Sequence, residues 1–285
     1  MSRVKLSPHQ QQIVSHAAQR PSTVLVTGCT SGIGKSLVIE FARLGYNIIG
    51  CGRRINNLRD VEATVNLNNP NGKHFFCQCD VGSYKSVCEF KEKVNSTGLK
   101  IDILIANAGI SIRGGNLYDI DESDFERIVQ INITGVFYTF KAFVGDMVVE
   151  SNKTNAPLKK VVGISSGLAH STSPVAGPYS ATKIAVEYMC KSMAQSFYFG
   201  KNNNIISVPL APGVVHSEMM RDTSRSIPTK EWSQGAVPFI LGWDTTVNGS
   251  SQITPNSYSK EYQSTWIIPA GLPIVTKVVR PSSND

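Results

Sequence analysis

The chain has little of what would place a protein outside the cell, in a membrane or on a nucleic acid. Its six cysteines, Cys29, Cys51, Cys77, Cys79, Cys88 and Cys190, make no C-x-x-C pair. Cys77 and Cys79 would share one face of a strand, without the further ligands that zinc requires. Free thiols in a reducing compartment are therefore expected, and no metal site. The opening residues, "MSRVKLSPHQQQIVSHAAQR", hold no apolar core, so no signal peptide is expected. No run approaches the roughly 20 apolar residues of a membrane span. The closing "PSSND" matches no lipidation or peroxisomal signal. A cytoplasmic address with no membrane partner follows. Charge of one sign is in excess, 28 basic against 21 acidic residues for a net +7, but the cations are scattered. No basic run is interleaved with aromatics, which argues against a nucleic-acid partner and leaves a small polyanion as the reason for local positive charge.

What is present is alternation. From Thr23 onward, short β-rich runs alternate with longer helical patterns. "TVLVTG" (23–28), "YNIIGCG" (46–52), "HFFCQCD" (74–80), "IDILIANAG" (101–109), "KVVGISS" (160–166) and "NIISVPLAPG" (204–213) read as strands. Helical patterns fall at 35–45, 83–96, 122–149 and 177–199. Near-continuous apolar strands separated by helices predict a parallel sheet covered on both faces. The expected fold is α/β, a doubly wound parallel sheet of Rossmann type in a single domain, with its site at the carboxyl ends of the strands. Residues 1–22 read as an N-terminal extension, 23–254 as the domain, and 255–285 as a C-terminal extension. The stretch near 217–240 reads as a substrate loop leading into a helix.

The segment "TGCTSGIGK" (27–35) stands between the first strand and the first helix. Gly28, Gly32 and Gly34 let the backbone turn tightly and approach a pyrophosphate, whose charge a helix N-terminus favours. Thr30, Ser31 and Ile33 complete this candidate cofactor loop. The end of the second strand chooses the dinucleotide. A site for NAD needs an acid there for the ribose hydroxyls. Here "GCGRR" puts Gly52 in that place, followed by Arg53 and Arg54, with no acid before Asp60. Two guanidiniums without a carboxylate favour a 2′-phosphate, hence NADPH/NADP+.

In "PYSATK" (178–183), Tyr179 and Lys183 are four positions apart, one helical turn on one face. A lysine so placed is expected to favour the phenolate. Taken together, "TGCTSGIG", "NAG" at 107–109, the asparagine of "INITG" at 132, "ISS" at 164–166, "YSATK" and "PG" at 212–213 resemble, in order, the short-chain dehydrogenase/reductase family over roughly residues 23–220. The resemblance implies a nicotinamide cofactor and a catalytic tetrad of Asn132, Ser166, Tyr179 and Lys183. Ser166 is taken rather than Ser165 because it precedes Tyr179 by 13 positions, the family's usual separation. In this reading Tyr179 donates the proton and Ser166 holds the carbonyl oxygen, so both also contact substrate. Asn132 positions a water that links Lys183 to solvent.

The same resemblance places Asp80 and Val81 near the adenine. It lets the cofactor pass the small residues of Asn107, Ala108 and Gly109, and sets Pro212, Gly213, Val215 and Ser217 around the nicotinamide amide, with Tyr179 and Lys183 also touching the cofactor. His170 and His216 fall near the site mouth as surface or substrate contacts. Met219 and Met220 suit either an apolar pocket wall or core packing. The stretches "NIIGCGRRINNL", "ISSGLAHSTSPVAGPYSATKIAVE" and "APGVVHSEMM" are similar to the plant NADPH-dependent pterin aldehyde reductases. That implies reduction of a small aldehyde or ketone. Keto-steroid, diketone and β-ketoacyl substrates stay open, as does an NADPH-binding sensor without turnover. The family also implies a homodimer or homotetramer through the helices at 122–149 and 177–199.

Overall fold

A computed structural model describes residues 22–112, 116–171, 173–201, 204–212, 215 and 228–241, with the backbone of 266–268 and 276–277. Strands β1 (Thr23–Thr27), β2 (Asn47–Gly52), β3 (His74–Gln78), β4 (Ile101–Ala106), β5 (Lys159–Ile164) and β6 (Ile205–Pro212) run parallel. They lie side by side in the order β3-β2-β1-β4-β5-β6. The order reverses between β1 and β4, and a crevice opens there at the carboxyl ends of the strands.

Alternation along each strand feeds two cores. Val24, Val26, Ile103 and Ile105 face one layer, with α1 (Gly32–Arg43), α2 (Ile55–Asn68) and α7 (Thr229–Leu241) packed over them. Leu25, Leu104, Ala106 and Val161 face the other, under α3 (Tyr84–Ser96), α5 (Gly135–Ser151) and α6 (Gly177–Phe199). Because both faces are covered, nearly every strand position is apolar, and each full burial of a Val, Leu or Ile contributes about 1.5–3 kcal/mol. The expected doubly wound α/β fold is the observed one.

Three features depart from the sequence reading. Helix α2 is absent from it, because its 14 residues are mostly polar and bury only Leu58, Val61 and Val65. Its presence follows from topology, since parallel neighbours such as β2 and β3 need a crossover. The predicted helix over 122–149 is α4 (Glu122–Val129), a π turn (Gln130–Thr134) and α5 in succession. This 30-residue helical stretch is long and apolar enough in one window to match a membrane span by composition, yet 56% of that window is buried. α5 packs on β4 and β5 as a core helix. The third departure concerns the boundary at 255. Strand β7 (Trp266–Ile268) pairs in parallel with β6, and β8 (Thr276–Lys277) pairs antiparallel with β7. The sheet therefore extends into the stretch read as a C-terminal extension, where three residues are too few to show a period.

Two buried lysines stand at the start of β5, and each has a partner that only the fold supplies. Lys159 Nζ lies 2.6 Å from Asp102 Oδ1. Lys160 Nζ donates to the carbonyls of Ile240 at 2.9 Å and Leu241 at 2.6 Å. A cation on the last carbonyls of α7 satisfies groups that a helix end leaves unpaired and complements its dipole.

Candidate active site

The turn out of β1 is built for close approach. Gly28 has φ +68°, and a Cβ there would come within 2.7 Å of Ala108 Cα. Gly32 has φ +53°. A Cβ on Gly34 would collide with the Gly28 carbonyl and the Asn107 amide. Asn107 Nδ2 donates to the carbonyls of Thr27 at 2.8 Å and Gly28 at 3.2 Å. Thr27 Oγ1 accepts from the backbone N–H groups of Asn107 and Ala108, both at 3.1 Å. The ends of β1 and β4 are thus tied together where the strand order reverses, so Asn107 joins the sheet as well as lining the crevice. Thr27 escapes a reading of the sequence because a threonine ending a strand gives no signal of such a role.

Helix α1 begins at Ser31 with no side-chain cap and no acid in its first turn. Its free N–H groups therefore face the crevice without a competing carboxylate. Arg54, the N-cap residue of α2, reaches back so that Nη2 donates to Ser31 Oγ at 2.6 Å and Thr30 Oγ1 at 3.3 Å. Arg53 is exposed beside it. A Cβ on Gly52 would lie 2.5 Å from Thr30 Cγ2, so an acidic side chain could not enter at the end of β2 unless Thr30 moved. The donor set here, two guanidiniums and two hydroxyls around a glycine, fits a phosphate and does not fit a pair of ribose hydroxyls. Farther along, Asp80 Oδ1 accepts from Gly82 N at 3.0 Å, which fixes the turn after β3. Val81 and Cys79 stand beside it in the wall. A hydrogen bond from the Cys51 thiol lowers the Cys79 pKa.

One groove of about 910 Å³ runs from this loop to the ends of β5 and β6. It brings together Gly28, Thr30, Ser31, Gly32, Ile33 and Gly34 with Arg53 and Arg54, and with Asp80, Val81 and Asn107–Gly109. Ser166, Tyr179, Lys183, Pro212 and Val215 line its far end. Gly213, Ser217, His216, Met219 and Met220 lie outside the described residues, as do residues 217–227 of the expected substrate loop. Ile110, Ser111, Leu168 and Ser171 also line the groove and carry no sequence signal.

The two adjacent serines part company. Ser165 is buried, and its hydroxyl donates to Glu187 Oε1 at 2.6 Å. Ser166 caps a 3-10 turn (Gly167–Ala169), accepting from Leu168 N at 3.2 Å, and its hydroxyl stands near enough to the Tyr179 phenol to favour that phenol's ionised form. Lys183 Nζ donates to the Ile164 carbonyl at 2.8 Å and sits 5.6 Å from the centre of the Tyr179 ring. Burial lowers its pKa to about 8. The Tyr179 phenol is raised above its usual value, because burial outweighs the lowering by Ser166. This corrects the expectation that the lysine favours the phenolate here: the ammonium is engaged by a backbone carbonyl, and loss of water around the phenol dominates.

Asn132 is held by its side chain. It sits in the π turn, fully buried, and its amide forms a two-way clamp with Ile110. Oδ1 accepts from Ile110 N at 2.8 Å, while Nδ2 donates to Ile110 O at 2.9 Å and Thr182 Oγ1 at 3.1 Å. Thr182 in turn donates to the Tyr179 carbonyl at 2.7 Å. The Asn132 side chain therefore holds the backbone beside Gly109, where an added Cβ would meet both Asn132 Oδ1 and Lys183 Nζ. It positions the site from behind the groove wall.

A family model described as short chain dehydrogenase matches residues 22–227. The chain belongs to the short chain dehydrogenase family. Among its relatives is an NADPH-dependent pterin aldehyde reductase of Arabidopsis thaliana, 28% identical over 80% of this chain and 91% of the relative. A 3-oxoacyl-[acyl-carrier protein] reductase of Brucella melitensis superposes with a TM-score of 0.72 at 22% identity, covering 96% of this chain and 98% of the other. An alcohol dehydrogenase of the archaeon Thermococcus sibiricus, complexed with 5-hydroxy-NADP, gives a TM-score of 0.67 at 23% identity, over 79% and 92%. Both structures share the fold that short chain dehydrogenases use.

Proposed function

We propose that the protein is an NADPH-dependent carbonyl reductase acting on small aldehydes or ketones, with a pterin-like aldehyde as the first substrate to try. One observation carries this reading: a single groove joins a phosphate-binding end, with Arg53 and Arg54, to a reacting end with Ser166, Tyr179 and Lys183. The name of the Arabidopsis thaliana relative points the same way. At the reacting end, Ile110, Ile164 and Leu168 offer apolar walls, with Ser111 and Ser171 adding hydroxyls. Such walls suit a neutral, partly polar carbonyl compound.

Bound along the groove, NADPH supplies a hydride to the carbonyl carbon. The protein handles the oxygen. The Ser166 hydroxyl donates to it and fixes its position, and Tyr179 transfers its phenolic proton to it, so that the alcohol leaves. Lys183, with Nζ 5.6 Å from the ring centre, keeps a positive charge near the phenolate that forms once the proton has left, although in the resting site burial outweighs it. A raised phenol pKa suits an acid, because the proton is present throughout the neutral range.

The pH dependence has a definite sign. Lys183 keeps its proton below about pH 8, and Tyr179 keeps its own to higher pH. Raising pH through about 8 therefore removes a needed positive charge without creating a needed base. kcat/KM for carbonyl reduction is expected to be level near neutrality and to fall above that point, in a profile taken with saturating NADPH. A level profile continuing well into the alkaline range would contradict the role given to Lys183.

Cofactor choice rests on the two arginines. Arg53→Ala with Arg54→Ala is expected to raise KM for NADPH by about a hundredfold or more, since each charge-assisted hydrogen bond to the 2′-phosphate contributes about 1.5–3 kcal/mol, or roughly tenfold to hundredfold per arginine. KM for NADH should change less than about threefold. Equal effects on both cofactors would remove the assignment. The whole reading is tested by following NADPH oxidation against a panel of pterin, aromatic and aliphatic aldehydes, ketones and β-ketoacyl esters. Tight NADPH binding with no turnover on any of them would favour a sensor instead. Pairing into dimers through α4, α5 and α6 belongs to the same proposal. It is supported by exposed Phe137 (49%), Ile184 (52%) and Tyr188 (74%) on those helices.

A further inference from the structure

Glu187 lies on α6 one turn beyond Lys183 and is only 4% exposed. A buried carboxylate needs partners, and its partners show what it does. Oε1 accepts from Ser165 Oγ at 2.6 Å and from His170 Nε2 at 2.9 Å. Oε2 faces Lys191 Nζ at 3.6 Å. A carboxylate only accepts, so Nε2 of His170 carries the proton. Ser165 and His170 stand immediately before and after the segment 166–169, which holds Ser166 and its 3-10 turn. One carboxylate oxygen therefore fastens both ends of the piece of chain that presents Ser166. Ser165 Oγ also lies 3.3 Å from the Lys183 carbonyl, which ties the same network to the helix carrying Tyr179 and Lys183.

Within the segment, the hydrogen bonds are local. Leu168 N donates to Ser166 Oγ at 3.2 Å, Ala169 N to the Ser166 carbonyl at 3.0 Å, and His170 N to the Gly167 carbonyl at 3.1 Å. They set the shape of the turn. Glu187 ties both of its ends to α6, beside the bond from Lys183 Nζ to the Ile164 carbonyl.

We infer that Glu187 is a positioning residue for the proposed reduction: through Ser165 on one side and His170 on the other, it sets where the Ser166 hydroxyl meets Tyr179 and the substrate carbonyl. The inference rests on the carbonyl-reductase reading and deepens it. A negative charge matters because one oxygen receives two donors while a lysine stands at the other, and charge-assisted bonds are about twice as strong as neutral ones. A neutral amide in its place keeps one acceptor oxygen and turns an NH2 toward Lys191. A shift of about 1 Å at a positioned group can cost on the order of 10²-fold in rate.

The test measures kcat, KM and thermal stability for wild type, Glu187→Gln, His170→Ala and His170→Gln, with Ser166→Ala and Tyr179→Phe alongside. Glu187→Gln is expected to lower kcat by about tenfold to hundredfold, approaching Ser166→Ala, while KM for NADPH stays within about twofold because the glycine loop and arginines are untouched. His170→Ala should lower kcat by about threefold to tenfold at unchanged thermal stability. His170→Gln should recover wild-type kcat to within about twofold, since its amide reaches the same oxygen as a neutral donor. His170 has a side chain 34% exposed, so its variants decide the matter if Glu187→Gln folds poorly. An active wild type whose kcat is unmoved in both Glu187→Gln and His170→Ala overturns the inference and leaves the reductase reading intact. A wild type that reduces no carbonyl sinks that reading instead. Amide hydrogen exchange over 165–171 then decides the positioning role by itself: faster exchange in His170→Ala supports it, and unchanged exchange rejects it.

Discussion

Replacing Tyr179 by phenylalanine is expected to lower kcat for carbonyl reduction by about 10²–10⁴-fold, the usual worth of a positioned general acid. The substitution removes one oxygen and keeps the ring that lies against Lys183. NADPH affinity should stay within about twofold, because the glycine loop, Arg53 and Arg54 are at the other end of the groove. Thermal stability should be held or slightly raised, since a partly buried phenol becomes a hydrocarbon. Stopped-flow oxidation of bound NADPH with a reactive aldehyde from the panel gives the chemical step directly. Activity within about threefold of wild type would mean that another group protonates the oxygen, and the role of Tyr179 would have to be withdrawn.

The second large effect lies at the amino ends of the central strands, opposite the groove. Asp102, near the start of β4, holds Lys159 Nζ at 2.6 Å through Oδ1 and accepts from Thr23 N at 2.9 Å through Oδ2. Asp102 is 2% exposed and Lys159 1%. This junction joins the amino ends of β1, β4 and β5. Asp102→Asn keeps an acceptor for Thr23 but leaves the Lys159 ammonium without its counter-charge in the interior. Breaking a buried pair in this way costs about 3–5 kcal/mol, a large share of a total stability of about 5–15 kcal/mol. At roughly 2–4 °C per kcal/mol, Tm should fall by about 6–20 °C. Adding Lys159→Met to Asp102→Asn removes the stranded charge and should recover most of the loss. kcat should not change in either variant, because the site is at the other ends of these strands. Calorimetric unfolding of the two single variants and the double variant closes the cycle, and a strictly additive result would mean that the pair contributes nothing as a pair.

Reading the site from the sequence works where function depends on local order. Gly28, Gly32 and Gly34 follow a strand and open a helix, and each restricts the backbone in a way that only glycine allows without movement. Tyr179 and Lys183 are one turn apart on α6, so their spacing alone puts them together. Ser166 separates from Ser165 by its 13-position distance from Tyr179, and the structure turns Ser165 toward Glu187. The reading gives out where geometry depends on distant partners. Lys183 reaches the Ile164 carbonyl, and burial raises the Tyr179 phenol, so the expected lowering by the lysine is absent from this arrangement. Asn132 clamps Ile110, 22 positions away in the chain. Helix α2 escapes notice because three apolar residues among 14 leave little periodic signal, although the parallel pairing of β2 and β3 requires a crossover.

The layered α/β class, the glycine turn of the cofactor loop and the pairing of the candidate proton donor Tyr179 with Lys183 are all legible without coordinates, since each is written in spacings of two to four residues. Which buried charges meet is a matter of three-dimensional packing. Asp102 with Lys159, Glu187 with His170, and Lys160 with the end of α7 are 57, 17 and 80 residues apart. No periodicity along a chain reports such pairs. They exist because packing removes water from both members at once, and a charge without water must find whatever partner the fold has brought beside it.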